Sequence, residues 1–330
     1  MNDVARAAGV SLKTVSRVVN GETTVAPALA ARVHVAVEAL NYRPHIGASM
    51  LRRNDRRTRT IGVLLEDVGN PFSAALHRAI EDEARPRGVQ VLTGSVDEDP
   101  QRERDLASAF TERHADGLII APSGPDQRYL RSFPDIPVVL VDRPGAGFAA
   151  DTVLATNVSG SRDAVHHLAT HGHQRIAYLG DHDRVATARE RHRGYLAALS
   201  AARLTPHAVR RLRHPSYAES ATLALFDRGA PPTALFTSQN LITIGALRAL
   251  RRLGLQRRVA LVGFDDFPLA DLLEPAVTVV AQDPARMGRT AARALFDRIY
   301  GVEGVAREMP PREFWIPTRL IPRGSGEIPA

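Results

Sequence analysis

From Ile61 onward, short apolar runs alternate with longer helical patterns, and this alternation constrains the chain more than any other feature. The runs are Ile61–Leu65, Val89–Thr93, Gly117–Ala121, Pro137–Val141, Arg175–Leu179, Ala234–Thr237, Val259–Phe264 and Thr278–Ala281. Between them, helical patterns cover Phe72–Arg87, Pro100–His114, Gly160–His171, Thr187–Leu204, Tyr217–Asp227 and Asn240–Leu253. Strands that are apolar throughout are buried on both faces, and helices placed between them supply the cover, so parallel α/β sheets are expected. Eight strands exceed one ordinary sheet, which predicts two lobes, with a crossing near 157–171 and another in 281–320.

The first fifty residues follow a different pattern. Asp3 to Gly9 and Leu12 to Asn20 read as two short helices joined at Gly9. Glycine takes the left-handed conformation that ends a helix, and Ser11 can accept a backbone N–H at the start of the next. That is the spacing of a helix-turn-helix. At about 100° per residue, Lys13, Ser16, Arg17 and Asn20 fall on one arc, with Val15, Val18 and Val19 opposite. The valines are expected to pack on Ala5 and on a third helix, roughly Pro27 to Leu40, through Leu29, Val33, Val37 and Leu40. The cationic arc is left for a major groove, where Arg and Lys donate to guanine O6 and N7. The first helix has little room for an N-cap beyond Asn2 or Asp3.

Charge distribution supports this reading. Residues 1–60 carry ten Arg and Lys against Asp3, Glu22, Glu38 and Asp55, which places +6 of the chain's +7 in its first fifth. A basic head on a near-neutral body is the layout of a nucleic-acid-binding module attached to something else. Cysteine is absent, which excludes disulfides and thiol chemistry and fits a reducing compartment. No signal-peptide core and no apolar run long enough to span a bilayer is present, so a cytoplasmic, non-membrane protein is expected.

Taken together, Asp3-Val-Ala-Arg-Ala-Ala-Gly-Val-Ser11, Thr14-Val-Ser-Arg-Val-Val-Asn-Gly21 and Asn41-Tyr-Arg-Pro44 strongly resemble the LacI family of transcriptional regulators. The resemblance continues through Asn70-Pro-Phe72, Asp116-Gly-Leu-Ile-Ile120, Gly263-Phe-Asp-Asp266, Gln282-Asp283 and Pro317-Thr-Arg-Leu320. It implies an all-α helix-turn-helix head at 1–44, a hinge helix and linker at 45–59, and a two-lobed effector-binding and dimerisation domain at 60–330 with the fold of periplasmic sugar-binding proteins. The implied partners are palindromic double-stranded operator DNA, a small-molecule effector of carbohydrate type, and a second copy of the chain, with a tetramer left open. No cofactor is implied.

The DNA-facing residues are then Ser11, Leu12, Lys13, Ser16, Arg17 and Asn20, with bases read by Leu12, Lys13 and Arg17. Leu51 matches the hinge leucine that wedges between base steps in the minor groove. Arg52, with the arginines up to Arg59, reads as a phosphate contact or as part of a solvated linker. The implied effector residues are Phe72, Asp142, Arg191, Gln239, Asp265 and Gln282, most of them just past strands or on following helices, where ligands of parallel sheets bind. An aromatic ring, carboxylates and an arginine suit a polyhydroxylated ligand.

Several positions depart from the family pattern, Lys13 among them, a base-reading choice that differs from many relatives. Ala26 stands where relatives usually have a capping serine, which costs about 1 kcal/mol, partly offset by Pro27. Ser238-Gln-Asn240 stands where they show Asn then Asp, so either the ligand or the hydrogen bonding between lobes differs. His166, His167, His171 and His173 include an i, i+4 pair, but no carboxylate pair at useful spacing makes them a metal site. A sugar-binding protein without DNA function and an α/β enzyme are the alternatives. The enzyme reading lacks a Gly-x-Ser-x-Gly elbow, a Walker loop and a Gly-x-Gly-x-x-Gly fingerprint.

Overall fold

The computed structural model describes residues 1–19, 22, 24–42, 57–227, 229–301 and 309–330. It divides into two compact units, Met1–Thr58 and Arg59–Ala330. Asn20, Leu51 and Arg52 lie outside the described residues, as does most of the expected hinge.

The smaller unit contains α1 (Asn2–Ala8), α2 (Leu12–Val19) and α3 (Pro27–Ala39). Gly9 ends α1 with φ 60°, its N–H returned to Arg6 O. Ser11 Oγ accepts from Thr14 N at 3.1 Å and so starts α2. A bond from the Arg32 guanidinium to Gly9 O, at 3.4 Å, holds α3 against the turn. Val4, Ala8, Val15, Val18, Val33 and Ala36 form a small buried core.

Two expectations for this unit need correcting. The N-cap of α1 is Met1 rather than Asn2 or Asp3. On α3 the buried stripe is Val33 and Ala36, flanked by Ala30 and Val37, while Leu29 and Leu40 are exposed. Valine and alanine, and not leucine, fill the inner positions. Ala26 gives α3 no side-chain cap, and Pro27 occupies its first turn.

The larger unit runs β1 (Thr60–Leu65), α4 (Pro71–Ala84), β2 (Gln90–Ser95), α5 (Pro100–Glu112), β3 (Leu118–Ile120), β4 (Val138–Val141), β5 (Asp151–Ala155), α6 (Asn157–Thr170), β6 (Ile176–Leu179), α7 (Ala186–Ala202), β7 (His207–Val209), α8 (Pro215–Phe226), β8 (Ala234–Thr237), α9 (Asn240–Arg252), β9 (Ala260–Phe264), β10 (Thr278–Ala281), α10 (Pro284–Tyr300), β11 (Glu313–Ile316) and β12 (Arg319–Ile321). Arg59, grouped above with the linker, opens this unit, its N–H bonded to Asp116 at 2.7 Å.

Its strands form two six-stranded sheets, ordered β11-β5-β4-β3-β1-β2 and β12-β10-β9-β8-β6-β7. The same order recurs in both lobes, so each reverses direction between equivalent strands, β1 and β3 in one and β6 and β8 in the other. All pairings are parallel except β10 with β12, which is antiparallel. The chain reaches β12 from β11 of the other lobe, so no crossover within the second sheet sets its direction against β10. Helix α6 carries the chain from the first sheet to the second, α10 carries it back, and Pro317-Thr318 joins β11 to β12. Two of these crossings are tied together where Thr318 N donates to Thr156 Oγ1 at 2.9 Å.

Side chains of α4 and α10 cover one face of the first sheet and Ala107 and Phe110 of α5 the other. In the second lobe α6 and α7 cover one face, α8 and α9 the opposite one. Three helices begin at an Asx-Pro pair, with Asn70, Asp99 and Asp283 each accepting a first-turn N–H beside a proline that has none to donate. No described helix is long and apolar enough to cross a membrane.

Candidate functional site

In the smaller unit, α2 turns Val15 and Val18 inward and leaves Leu12 and Lys13 exposed, with Ser16 and Arg17 half-buried. Leu12 is a large apolar side chain left 43% exposed beside the cationic arc. Arg17 lies 3.5 Å from Glu22, a solvent-accessible pair worth little in water. The four DNA-facing candidates after Ser11 that are described thus share one helix, and Ser11 itself is its cap.

In the larger unit, one cleft of about 60 Å³ lies at the carboxyl ends of both sheets. Phe72, Asp142, Arg191, Gln239, Asp265 and Gln282 all line it. Asp142 and Asp265 follow β4 and β9, equivalent strands of the two lobes, and both adopt left-handed backbone, φ 68° and 69°. That conformation turns the chain sharply off the strand end and is strained for a residue other than glycine. Phe72, on the first turn of α4, both lines the cleft and packs against the first lobe's core.

Arg191 reaches the cleft from α7 and is bonded there through Nε and Nη1. Its Nε donates to Asn157 Oδ1 at 2.9 Å, and Nη1 donates to Ser238 O at 2.7 Å and to Asp265 Oδ2 at 3.2 Å. The guanidinium also stacks on Phe264, 3.9 Å from the ring centroid. Gln282 Nε2 donates to the other Asp265 oxygen at 2.6 Å. Burial pushes the Asp265 carboxyl above its ordinary range, with Arg191 and Gln282 opposing the shift.

Sequence reasoning missed Glu66, Glu98, Arg143 and Asp181, which line the same cleft. Glu66 follows β1 directly and Asp181 stands two residues past β6, so the rule that selected Asp142 was available for both. Arg143 bridges Glu98 and Asp142, and those two carboxylates outweigh the burial that works against its charge. Burial, reinforced by Glu98, pushes Glu66 up from 4.5 to about 7.

Two links join the lobes beside the cleft. Asn70 and Asn240 exchange side-chain amide bonds at 2.9 and 3.3 Å, and Arg213 Nη2 donates to Glu66 at 3.3 Å. The choice left open at Ser238-Gln-Asn240 therefore divides: Asn240 belongs to the bonding between lobes, while Gln239 lines the cleft and donates to Asp181 at 3.1 Å. Among the histidines, His167 meets Glu327, and His173 bonds Thr233 and Ile328 O. No group of three metal-binding side chains occurs among the described residues.

Residues 1–45 match bacterial regulatory proteins of the lacI family, and residues 165–326 match the periplasmic binding protein-like domain. The HTH-type transcriptional regulator PtxS of Pseudomonas plecoglossicida is 33% identical over 341 residues, covering 99% of this chain and 96% of that protein. The ribose operon repressor of Escherichia coli K12 is 31% identical over 91% of this chain and 92% of its own length. Among solved structures, the lac repressor dimer bound to operator and the anti-inducer ONPF superposes with a TM-score of 0.83, at 25% identity and with 98% of each chain covered. A three-helix head of this sequence, a body with two equivalent parallel sheets, and relatives aligned from end to end place the chain in the LacI family of bacterial transcriptional regulators.

Proposed function

We propose that the protein is a cytoplasmic, sequence-specific repressor that binds a palindromic operator as a homodimer and whose operator affinity is set by a small carbohydrate held between the lobes of residues 60–330. Residues 1–44 dock α2 in the major groove, where Leu12, Lys13 and Arg17 read base edges and Ser11 and Ser16 position the helix on the backbone. Residues 45–59 act as the hinge, with Leu51 as its wedge and Arg52 on phosphate. The observation that carries the effector half is the convergence of Phe72, Asp142, Arg191, Gln239, Asp265 and Gln282, drawn from both lobes, on one cleft at the carboxyl ends of the strands.

At about 60 Å³ the cavity is smaller than the roughly 300–1,000 Å³ of typical small-molecule pockets, so a sugar enters by parting the lobes. Ligand then binds lobe spacings differently, which is what a coupling free energy requires. The cleft binds without turnover, and its carboxylates orient hydroxyls. Fluorescence anisotropy with promoter DNA flanking the gene tests the reading. Preference for operator over scrambled duplex, altered by a carbohydrate that is recovered unchanged, supports it; equal binding to both duplexes refutes it.

A further inference from the structure

The same cleft has a charge balance and a hydrogen-bonding demand that specify its ligand further. Five carboxylates line it: Glu66, Glu98, Asp142, Asp181 and Asp265. Only two cations line it, Arg143 and Arg191, and a third, Arg213, reaches Glu66 from outside. Each is already engaged. Arg143 serves Glu98, Asp142 and the carbonyl of Pro122, and Arg191 serves Asp265, Asn157 and the carbonyl of Ser238. Among the described residues, Asp181 accepts from His182 N and Gln239.

What remains unsatisfied is informative. Two buried side-chain atoms of the cleft residues have no hydrogen-bond partner, Glu98 Oε2 and Gln282 Oε1. Glu98 is only 3% exposed at its side chain, and its other oxygen is held by Arg143. The Gln282 amide is oriented by its Nε2 bond to Asp265, which leaves Oε1 as the open atom. Gln282 Oε1 is an acceptor, and Glu98 Oε2 is one in the ionised carboxylate, whose proton affinity burial raises and Arg143 opposes. A buried acceptor without a donor costs about 1–3 kcal/mol, so the complementary ligand presents hydroxyl or amine hydrogens there.

Helix N-termini do not reverse the balance. Phe72 N at the start of α4 is bonded to Asn70, and Leu241 N at the start of α9 is bonded to Asn240. The start of α7 has no side-chain cap.

We propose that this cleft selects a neutral polyhydroxylated ligand, recognised by hydroxyl donation to Glu98 and Gln282, and rejects sugar acids and sugar phosphates. An anion entering it would lose its water, meet an excess of carboxylates and find each lining arginine already paired with a carboxylate. The inference rests on the reading of the cleft as a carbohydrate site.

Calorimetry on the full-length protein at pH 8 tests it with matched trios: ribose, ribonate and ribose 5-phosphate; glucose, gluconate and glucose 6-phosphate; galactose, galactonate and galactose 6-phosphate. The expected result is that the tightest binder is a neutral sugar, with its acid and phosphate at least tenfold weaker. An acid or phosphate that outbinds its neutral parent overturns the proposal while leaving the carbohydrate reading standing. Silence from all nine compounds overturns the carbohydrate reading and the proposal with it. On the neutral binder, Glu98→Gln and Gln282→Met should each weaken affinity about tenfold with the melting profile retained. Unchanged affinity in both folded variants overturns the assignment of the two acceptors.

Discussion

Glu66 offers a stability prediction with a worked magnitude. Its carboxyl sits at the end of β1 under the influence of burial and of Glu98, which together raise it from 4.5 to about 7 despite Arg143 and Arg213. The folded state therefore holds this proton more tightly than the unfolded chain does. Below pH 4.5 the group is protonated in both states and costs nothing. The cost grows as pH rises through the interval and is complete above pH 7, where it reaches about 3 kcal/mol at roughly 1.4 kcal/mol per tenfold. Glutamine at this position keeps the shape and an acceptor for Arg213 but does not titrate. Between pH 5 and 8, Glu66→Gln should gain about 2–3 kcal/mol on the wild type, because every other titrating group is common to both proteins. Urea unfolding at pH 5, 6, 7 and 8 measures it by circular dichroism and by fluorescence of Trp315, the chain's one tryptophan, which lies on β11 in the same sheet as β1. A difference between the proteins that stays flat across this range would refute the burial argument.

Asp265→Asn should weaken the cognate carbohydrate by about 1.5–3 kcal/mol, the range for a hydrogen bond to a charged group, as read by calorimetry. Arg17→Ala should cost about 1–3 kcal/mol in operator affinity and relax specificity at one base pair, while anisotropy on scrambled DNA changes little. Asp151 is held below its ordinary range by Arg298 and Arg312, which overcome the burial that opposes them. Its contribution is present above the unfolded value of 3.8 and is lost as pH falls through the lower folded value; Asp151→Asn, which removes the buried carboxylate that Arg298 and Arg312 share, should cost about 3–5 kcal/mol in urea melts at pH 7.

The core strands were legible because each is a run of β-branched and aliphatic residues long enough to stand out, as in Ile61–Leu65 and Val259–Phe264. The strands that escaped are short or begin with polar side chains. β7 has three residues, and β5 opens with Asp151, whose burial makes sense only once Arg298 and Arg312 arrive from over a hundred residues away. Helix α10 escaped although its start carries a local signal, Asp283-Pro284, the same Asx-Pro device that opens α4 and α5. On α3 the expected leucines were wrong because spacing alone does not say how closely two helices approach; Ala36 is buried where Leu40 is not. The cleft was partly legible for a topological reason, since residues just past parallel strands converge. What sequence withheld was pairing: that Arg143 is shared by Glu98 and Asp142, and that Asn240 meets Asn70 from the other lobe.

The central claim is that a ligand in the cleft and an operator under α2 are linked through one chain. The direct test is operator affinity of the full-length protein by anisotropy, with and without saturating carbohydrate, paired with calorimetry of that carbohydrate in the presence and absence of operator DNA. The expected result is a change of about 5- to 150-fold in operator affinity and the same factor in carbohydrate affinity, since linkage is reciprocal. A carbohydrate that binds the wild type, loses affinity in Asp265→Asn and yet leaves operator affinity unchanged would contradict it.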